Sequence, residues 1–224
     1  MASHPLDNPV WHSLITQHAG LALTADGAAR YPASILPFAA VGEPSARAAN
    51  QLTSLVDDAE SVFVVSVAPE PPPGWQLELK KPVLQMICRT RAPDVPGPPV
   101  TQMTVAEAPD MIALTDLVFP GFFRSRTLEM GSYLGIYDGS RLAAMAGERM
   151  RLDGYQELSA VCTHPGYTGR GYAQRLLAIL CNSAFDRGFT PFLHVYADNE
   201  RAIGVYRKMN FADRTVLPFW ALHQ

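Results

Sequence analysis

Cysteine is scarce in this chain, and so is charge. Three cysteines in 224 residues (Cys88, Cys162 and Cys181) are an odd number with no CxxC pair. That excludes a disulfide framework and fits a reducing compartment. Charged residues make up 17%, the formal net charge is −3, and no dense Lys/Arg block is present. Neither nucleic acid nor an acidic membrane is therefore expected as the main partner. No apolar run approaches the roughly 18 residues that would cross a bilayer. The first residues, MASHPLDNPVWHSLITQH, lack the basic start and apolar run of a signal peptide, so a cytoplasmic location is expected. Six histidines and the acidic residues show no metal-ligand spacing, and no metal is expected. Two phosphate-binding signatures are missing as well. A Walker A loop needs Lys-Ser/Thr after its last glycine, where this chain has Tyr172-Ala173 after Gly171. A Rossmann fingerprint is only half present, in Gly169-Arg170-Gly171.

What the chain does have is apolar material, 48% of its residues, arranged with clear periods. The central stretch is Glu157 to Arg187. Leu158–Cys162 reads as a strand, and 163–171 as a turn-rich loop with Pro165, Gly166, Gly169 and Gly171. Ala173, Leu176, Leu177, Leu180, Ala184 and Phe185 fall at helical spacing, with Gly188 as a stop. A glycine-rich turn entering a helix presents free backbone N–H groups and the positive end of the helix dipole, which suits a phosphate.

Before this stretch the chain divides. In residues 1–95 the spacing predicts helices over 10–23 and 46–55 and strands over 61–67 and 83–88, with Pro69–Gly74 a loop. They form a smaller α/β domain of unassigned role. Ala92 to Pro99 carries four prolines in eight residues and reads as a linker, or else as a long loop within one domain. Residues 96–224 open with a helix capped near Thr104 and reaching Leu117. The aromatic and basic loop Phe119–Arg126 follows, then strands over 133–137, 142–148 and 156–162, joined by Asp138-Gly139 and Asp153-Gly154 hairpin turns.

Downstream of the loop, Pro191–Tyr196 reads as a strand. After it come Asn199, Ala202, Tyr206 and Asn210-Phe211 in the pattern N-x-x-A-x-x-x-Y followed by N-F. With Thr168-Gly169-Arg170-Gly171-Tyr172-Ala173, these residues resemble the GNAT superfamily of acetyl-coenzyme A-dependent N-acetyltransferases over about residues 100–224. Thr168 departs from the family's Gln or Arg.

The resemblance implies an α/β (α+β) fold, a mixed and mostly antiparallel central sheet flanked by helices. Residues 1–95 precede it, as a partial or degenerate copy of the same fold or as a separate unit. It implies acetyl-coenzyme A as co-substrate and transfer to a primary amine of a small molecule or peptide. The coenzyme would lie on Val161, Cys162, Thr163, Thr168, Gly169, Arg170, Gly171, Tyr172, Ala173, Asn199, Ala202 and Tyr206. Tyr206 would serve the departing thiolate. Glu157 leads as general base, with Glu148 and His194 as rivals, since an ordinary Glu near ~4.3 needs desolvation or a water relay to act at neutral pH. Phe122, Phe123 and Arg124, with Glu148 and His194, would line the acceptor side. Cys162 reads as a small buried apolar group rather than a nucleophile, and His164 as structural. A coenzyme A-binding regulatory protein with decayed catalysis, a larger acyl donor, and a homodimer all stay open.

Overall fold

A computed structural model describes residues 4–57 and 60–224. In chain order the strands are β1 (Leu23–Ala25), β2 (Ala28–Arg30), β3 (Ala39–Val41), β4 (Val62–Val65), β5 (Gln76–Leu79), β6 (Val83–Cys88), β7 (Thr101–Gln102), β8 (Tyr133–Asp138), β9 (Arg141–Leu152), β10 (Tyr155–Thr163), β11 (Thr190–Tyr196), β12 (Phe211–Leu217) and β13 (Phe219–His223). The α-helices are α1 (Pro9–Ile15), α2 (Ala46–Thr53), α3 (Ala108–Val118), α4 (Tyr172–Asp186) and α5 (Glu200–Lys208). The expected helix over 10–23 is cut to α1. Its chain turns at Thr16 (φ −121°, ψ −102°), and the buried His18 points its Nδ1 at the Tyr31 hydroxyl, 3.0 Å away.

The main sheet has seven strands in the order β12-β6-β11-β10-β9-β8-β7, antiparallel except for β10 with β11. This is the mixed, mostly antiparallel sheet that the sequence led us to expect. α4 and α5 cover one face: Leu176, Leu177, Leu180, Ile203 and Met209 pack on Leu84, Met86, Leu134 and Leu193. Met111 and Leu114 of α3 cover part of the other face, and Val10 and Leu14 of α1 join a neighbouring apolar cluster. The α3 entry carries the expected cap as a reciprocal box, in which the Thr104 side chain accepts from backbone and Glu107 Oε2 accepts from the Thr104 N–H.

The strand pairing does not follow the expected division at residues 95 and 96. β6 lies before that point yet sits between β11 and β12, paired over five and six positions respectively. β13, which leaves β12 at Pro218, inserts between β4 and β5. The proline-rich segment is pinned along α4 rather than free: Ala92 exchanges two hydrogen bonds with the Asn182 side chain, and Arg175 donates to the Val95 and Pro98 carbonyls. The physical reason is β6 itself. All six of its residues are buried, and a strand buried on both faces needs partners on both edges.

A chain reduced to residues 96–224 should therefore fail to fold. Losing β6 bares one edge of β11 and strips β12 from the sheet, and unpaired edges aggregate. The check is circular dichroism and size-exclusion chromatography of the fragment, where a soluble monomer with a cooperative melt would contradict the shared sheet.

Candidate acyl-coenzyme A site

The site begins where two strands part. β10 and β11 pair in parallel only at Tyr155↔Thr190, Gln156↔Pro191 and Glu157↔Phe192. Beyond these, β11 stays with β6 and β10 stays with β9. β10 also bulges: its register on β9 jumps from Ser159↔Gly147 to Cys162↔Met145, leaving Ala160 and Val161 without partners there. Ala160 adopts φ +50°, a left-handed conformation uncommon outside glycine, as bulges require. A cleft of about 350 Å³ opens in the gap. It reaches both faces of the sheet. Asn199, Ala202 and Tyr206 of the α5 segment line it from one face, and Phe38, Phe119 and Phe122 from the other.

Past the end of β10, the loop 164–171 delivers the chain to α4. The His164 imidazole caps the short turn Pro165–Tyr167 by accepting from the Gly166 N–H at 3.2 Å, the structural role expected of it. Gly169 and Gly171 take φ +81° and +77°, which glycine adopts without the cost of a Cβ. Gly171 is the N-cap of α4 and provides no side-chain cap. The first N–H groups of this 15-residue helix, at Tyr172, Ala173 and Gln174, therefore lack intrahelical partners and sit at the positive end of its dipole. Arg170 lies exposed with its guanidinium 4.8 Å from the Tyr167 ring centroid. Thr168 is exposed and bonds back to the Pro165 carbonyl. The αL residue Gly188 (φ +81°) ends the helix, and the Phe189 N–H bonds back to the Ala184 carbonyl.

Tyr206 is buried against Phe211 (centroids 6.1 Å apart) and lines the cleft. Among the described residues its hydroxyl has no hydrogen-bond partner, and burial pushes its pKa up, so the phenol keeps its proton. Asn199 Oδ1 accepts from the Ala202 N–H at 3.1 Å and so caps α5. Cys162 is fully buried in the α3-side cluster, with its thiol pushed up to about 12 by burial. That thiol is inert at neutral pH.

Glu157 lies at the last paired position before the strands part, and it is fully buried. Arg149 clamps it bidentately, Nε to Oε2 at 2.7 Å and Nη2 to Oε1 at 2.6 Å, and His194 Nδ1 lies 2.7 Å from Oε1. Burial alone would raise its pKa, but the Arg149 charge and the Arg149 and His194 hydrogen bonds outweigh that and hold it down at about 2. The expectation of Glu157 as general base does not fit this environment. Both oxygens are occupied, and a carboxylate so far below neutral is a poor proton acceptor.

His194 is similarly committed. The Gln85 amide turns its oxygen to Arg214 (2.8 Å) and its nitrogen to the Leu6 carbonyl (2.9 Å). The Gln85 N–H then donates to His194 Nε2 at 3.0 Å, which fixes Nδ1–H as the donor to Glu157. Glu148, the other rival, is buried away from the cleft and paired with Arg187 and, at 3.6 Å, with Arg151. Phe122 lines the cleft, whereas Phe123 is buried against Tyr133 and Arg124 is exposed outside it. The sequence reading missed Phe38, Arg149, Ser159, Ala160 and Phe219, all cleft-lining. The Asp153-Gly154 turn by itself sets Met150 across from Glu157; Arg149 reaches the carboxylate through the register shift between Gln156 and Leu158.

Comparison with known proteins agrees with this geometry. The family described as FR47-like protein matches residues 133–219. Over 82 residues the chain is 35% identical to N-alpha-acetyltransferase RimI of Mycobacterium tuberculosis (strain ATCC 25618 / H37Rv), covering 35% of this chain and 51% of that protein. It thus spans about half the length of this curated relative. A GCN5-related N-acetyltransferase from Kribbella flavida shares the fold at 16% identity, with a TM-score of 0.62 over 94% of this chain and 95% of that one. A crystal structure of a GNAT-family protein from Novosphingobium aromaticivorans DSM 12444 superposes with a TM-score of 0.89 and 36% identity over 99% of both chains. Identity of that level along the whole length, on one sheet topology, shows that this chain belongs to the GNAT family of acetyltransferases.

Proposed function

We propose that the protein moves an acetyl group from acetyl-coenzyme A to a primary amine of a small molecule or peptide, by direct attack in a ternary complex. The observation that carries this reading is the parting of β10 and β11 beside an uncapped helix N-terminus behind two left-handed glycines. The pyrophosphate sits on the N–H groups of Gly169 to Ala173, where no Cβ intrudes at 169 or 171. Arg170 adds a charge at the surface. The pantetheine arm lies along the unpaired edge of β10 from Thr163 to Val161, with Asn199 and Ala202 opposite. The bulge at Ala160 and Val161 frees backbone N–H groups to polarise the thioester carbonyl.

The amine arrives neutral and attacks the thioester carbon. The C–N bond forms, the C–S bond breaks, and one amine proton passes through the Tyr206 hydroxyl to the departing sulfur. The products are an N-acetyl amine and the free coenzyme thiol. The ammonium proton is lost to water beforehand, because Glu157 and His194 have their acceptor sites filled. Glu157 instead positions Arg149 and His194 at the point where the strands divide.

Two measurements test the assignment. Tyr206→Phe should lower kcat by roughly 10²-fold or more with little change in the KM for acetyl-coenzyme A, followed by release of free thiol; unchanged kcat would remove Tyr206 from the chemistry. Because Glu157 is not the base, kcat/KM should rise with pH up to the pKa of the acceptor amine itself. Glu157→Gln should keep that profile while destabilising the fold by about 3–5 kcal/mol, since it leaves Arg149 charged, buried and unpaired. A profile whose midpoint disappears in Glu157→Gln would restore Glu157 as the base.

The depressed Glu157 pKa also predicts acid sensitivity. Its stabilising contribution is complete above the unfolded value of about 4.5 and is lost as pH falls towards about 2. Wild-type protein should lose on the order of 3 kcal/mol across that window by this group alone. Denaturant midpoints measured between pH 5 and pH 2 should show a smaller drop in Glu157→Gln.

A further inference from the structure

The acceptor half of the cleft differs sharply from the coenzyme half. Its walls are Phe38, Phe119, Phe122 and Phe219, four of the ten phenylalanines in the chain, with Val65 and Val118 between them. They come from three separate parts of the sequence: Phe38, the loop carrying Phe119 and Phe122, and Phe219. Phe122 lies at the centre, with ring centroids 6.0 Å from Phe38, 5.7 Å from Phe119 and 6.2 Å from Phe219. Phe63 backs it at 4.9 Å. The apolar lining continues outward through Tyr196, 37% exposed and 6.4 Å from Phe219, and through the aliphatic Val118, 41% exposed.

Charge is nearly cancelled here. Among the described residues, Arg149 is the one Arg, Lys, Asp or Glu on the lining; its guanidinium lies 4.9 Å from the Phe38 centroid, and its charge is matched by Glu157. No uncommitted carboxylate faces the cleft among the described residues. A polyamine or a lysine-rich peptide would therefore lose hydration of its further charges with nothing to replace it. A flat apolar body would instead meet ring faces and edges on several sides. The volume also restricts the choice, because about 350 Å³ is shared between the thioester end and the acceptor.

We infer that the acceptor is a small primary alkylamine that carries an aromatic ring, and that residues 1–95 supply part of its recognition through Phe38 and Val65. This rests on the acetyl-transfer reading and adds the substrate class to it. A single buried phenyl group is worth roughly ten- to a hundredfold in selectivity.

The test is a free-thiol release assay with acetyl-coenzyme A and a panel of amines: phenethylamine, tryptamine and phenylalaninamide against ethanolamine, glycinamide, putrescine and spermidine. The aromatic amines should exceed the others in kcat/KM by at least tenfold. Phe122→Ala should raise the KM for phenethylamine roughly tenfold, with the change concentrated in the amine's KM rather than that of acetyl-coenzyme A. Phe122→Leu, which retains apolar bulk should the alanine variant not fold, should lie between the two. Equal or better turnover of glycinamide or spermidine would overturn the inference and leave acetyl transfer standing. So would a preference for phenylacetyl-coenzyme A with small amines, which would give the aromatic half to the acyl group. Failure to bind acetyl-coenzyme A in calorimetry would overturn the acetyl-transfer reading, and this inference with it.

Discussion

The Arg149–Glu157 ion pair is the constraint on which the rest of the site depends. It lies at the last rung where β10 and β11 still pair, and both charges are taken out of water. Burying one charge without the other would be prohibitive, so the two must be brought together by the fold. From Glu157 the polar contacts run on through His194, Gln85 and Arg214 to Asp7, one side chain from each of β9, β10, β11, β6 and β12 and then a residue of the N-terminal turn. Each member fixes the donor and acceptor sense of the next. Arg214 sets the Gln85 amide, Gln85 sets the His194 tautomer, and His194 completes the shell of Glu157. A buried network satisfied at each step specifies strand register more sharply than apolar contacts do.

That ladder also ties the first hundred residues to the remainder. Gln85 belongs to β6, and Asp7 and Leu6 lie at the start of the chain, yet all three complete contacts that begin on β9 and β10. The apolar cores repeat the pattern: Leu84 and Met86 sit among α4 and α5 residues, and Phe219 joins Phe38 and Val65 in another cluster. Two arcs of chain make one sheet, and the cleft forms at the seam.

The cleft is thus specialised by face. On the α5 side an uncapped helix end and left-handed glycines supply N–H groups and space, which suits the anionic, extended coenzyme proposed above. On the other side, rings from the N-terminal segment, the loop after α3 and β13 make an apolar chamber. The bulge at Ala160 and Val161 lies between the two, on the cleft lining. The carboxylate nearest that junction is committed to Arg149 and His194, so the proposed proton movement runs through Tyr206 and water.

The local geometry of the proposed coenzyme half, its loop, glycines and two helices, was legible in the sequence because its determinants are local. Gly169, Gly171 and the periodic apolar face of α4 are neighbours in the chain, and Asn199, Ala202 and Tyr206 share one short helix. Phosphate binding by a loop and helix end needs only such short-range geometry. The hairpins at Asp138-Gly139 and Asp153-Gly154 were readable for the same reason. What tertiary structure alone decided rests on residues far apart in sequence. Glu157 in isolation reads as a base; only Arg149 and His194, folded against it, make it an anchor that stays ionised down to about pH 2. β6 reads as a strand, but its place between β11 and β12 follows from burial on both faces and not from any local signal. Phe38, Phe122 and Phe219 read as separate apolar residues, and become one wall only when distant segments are packed together.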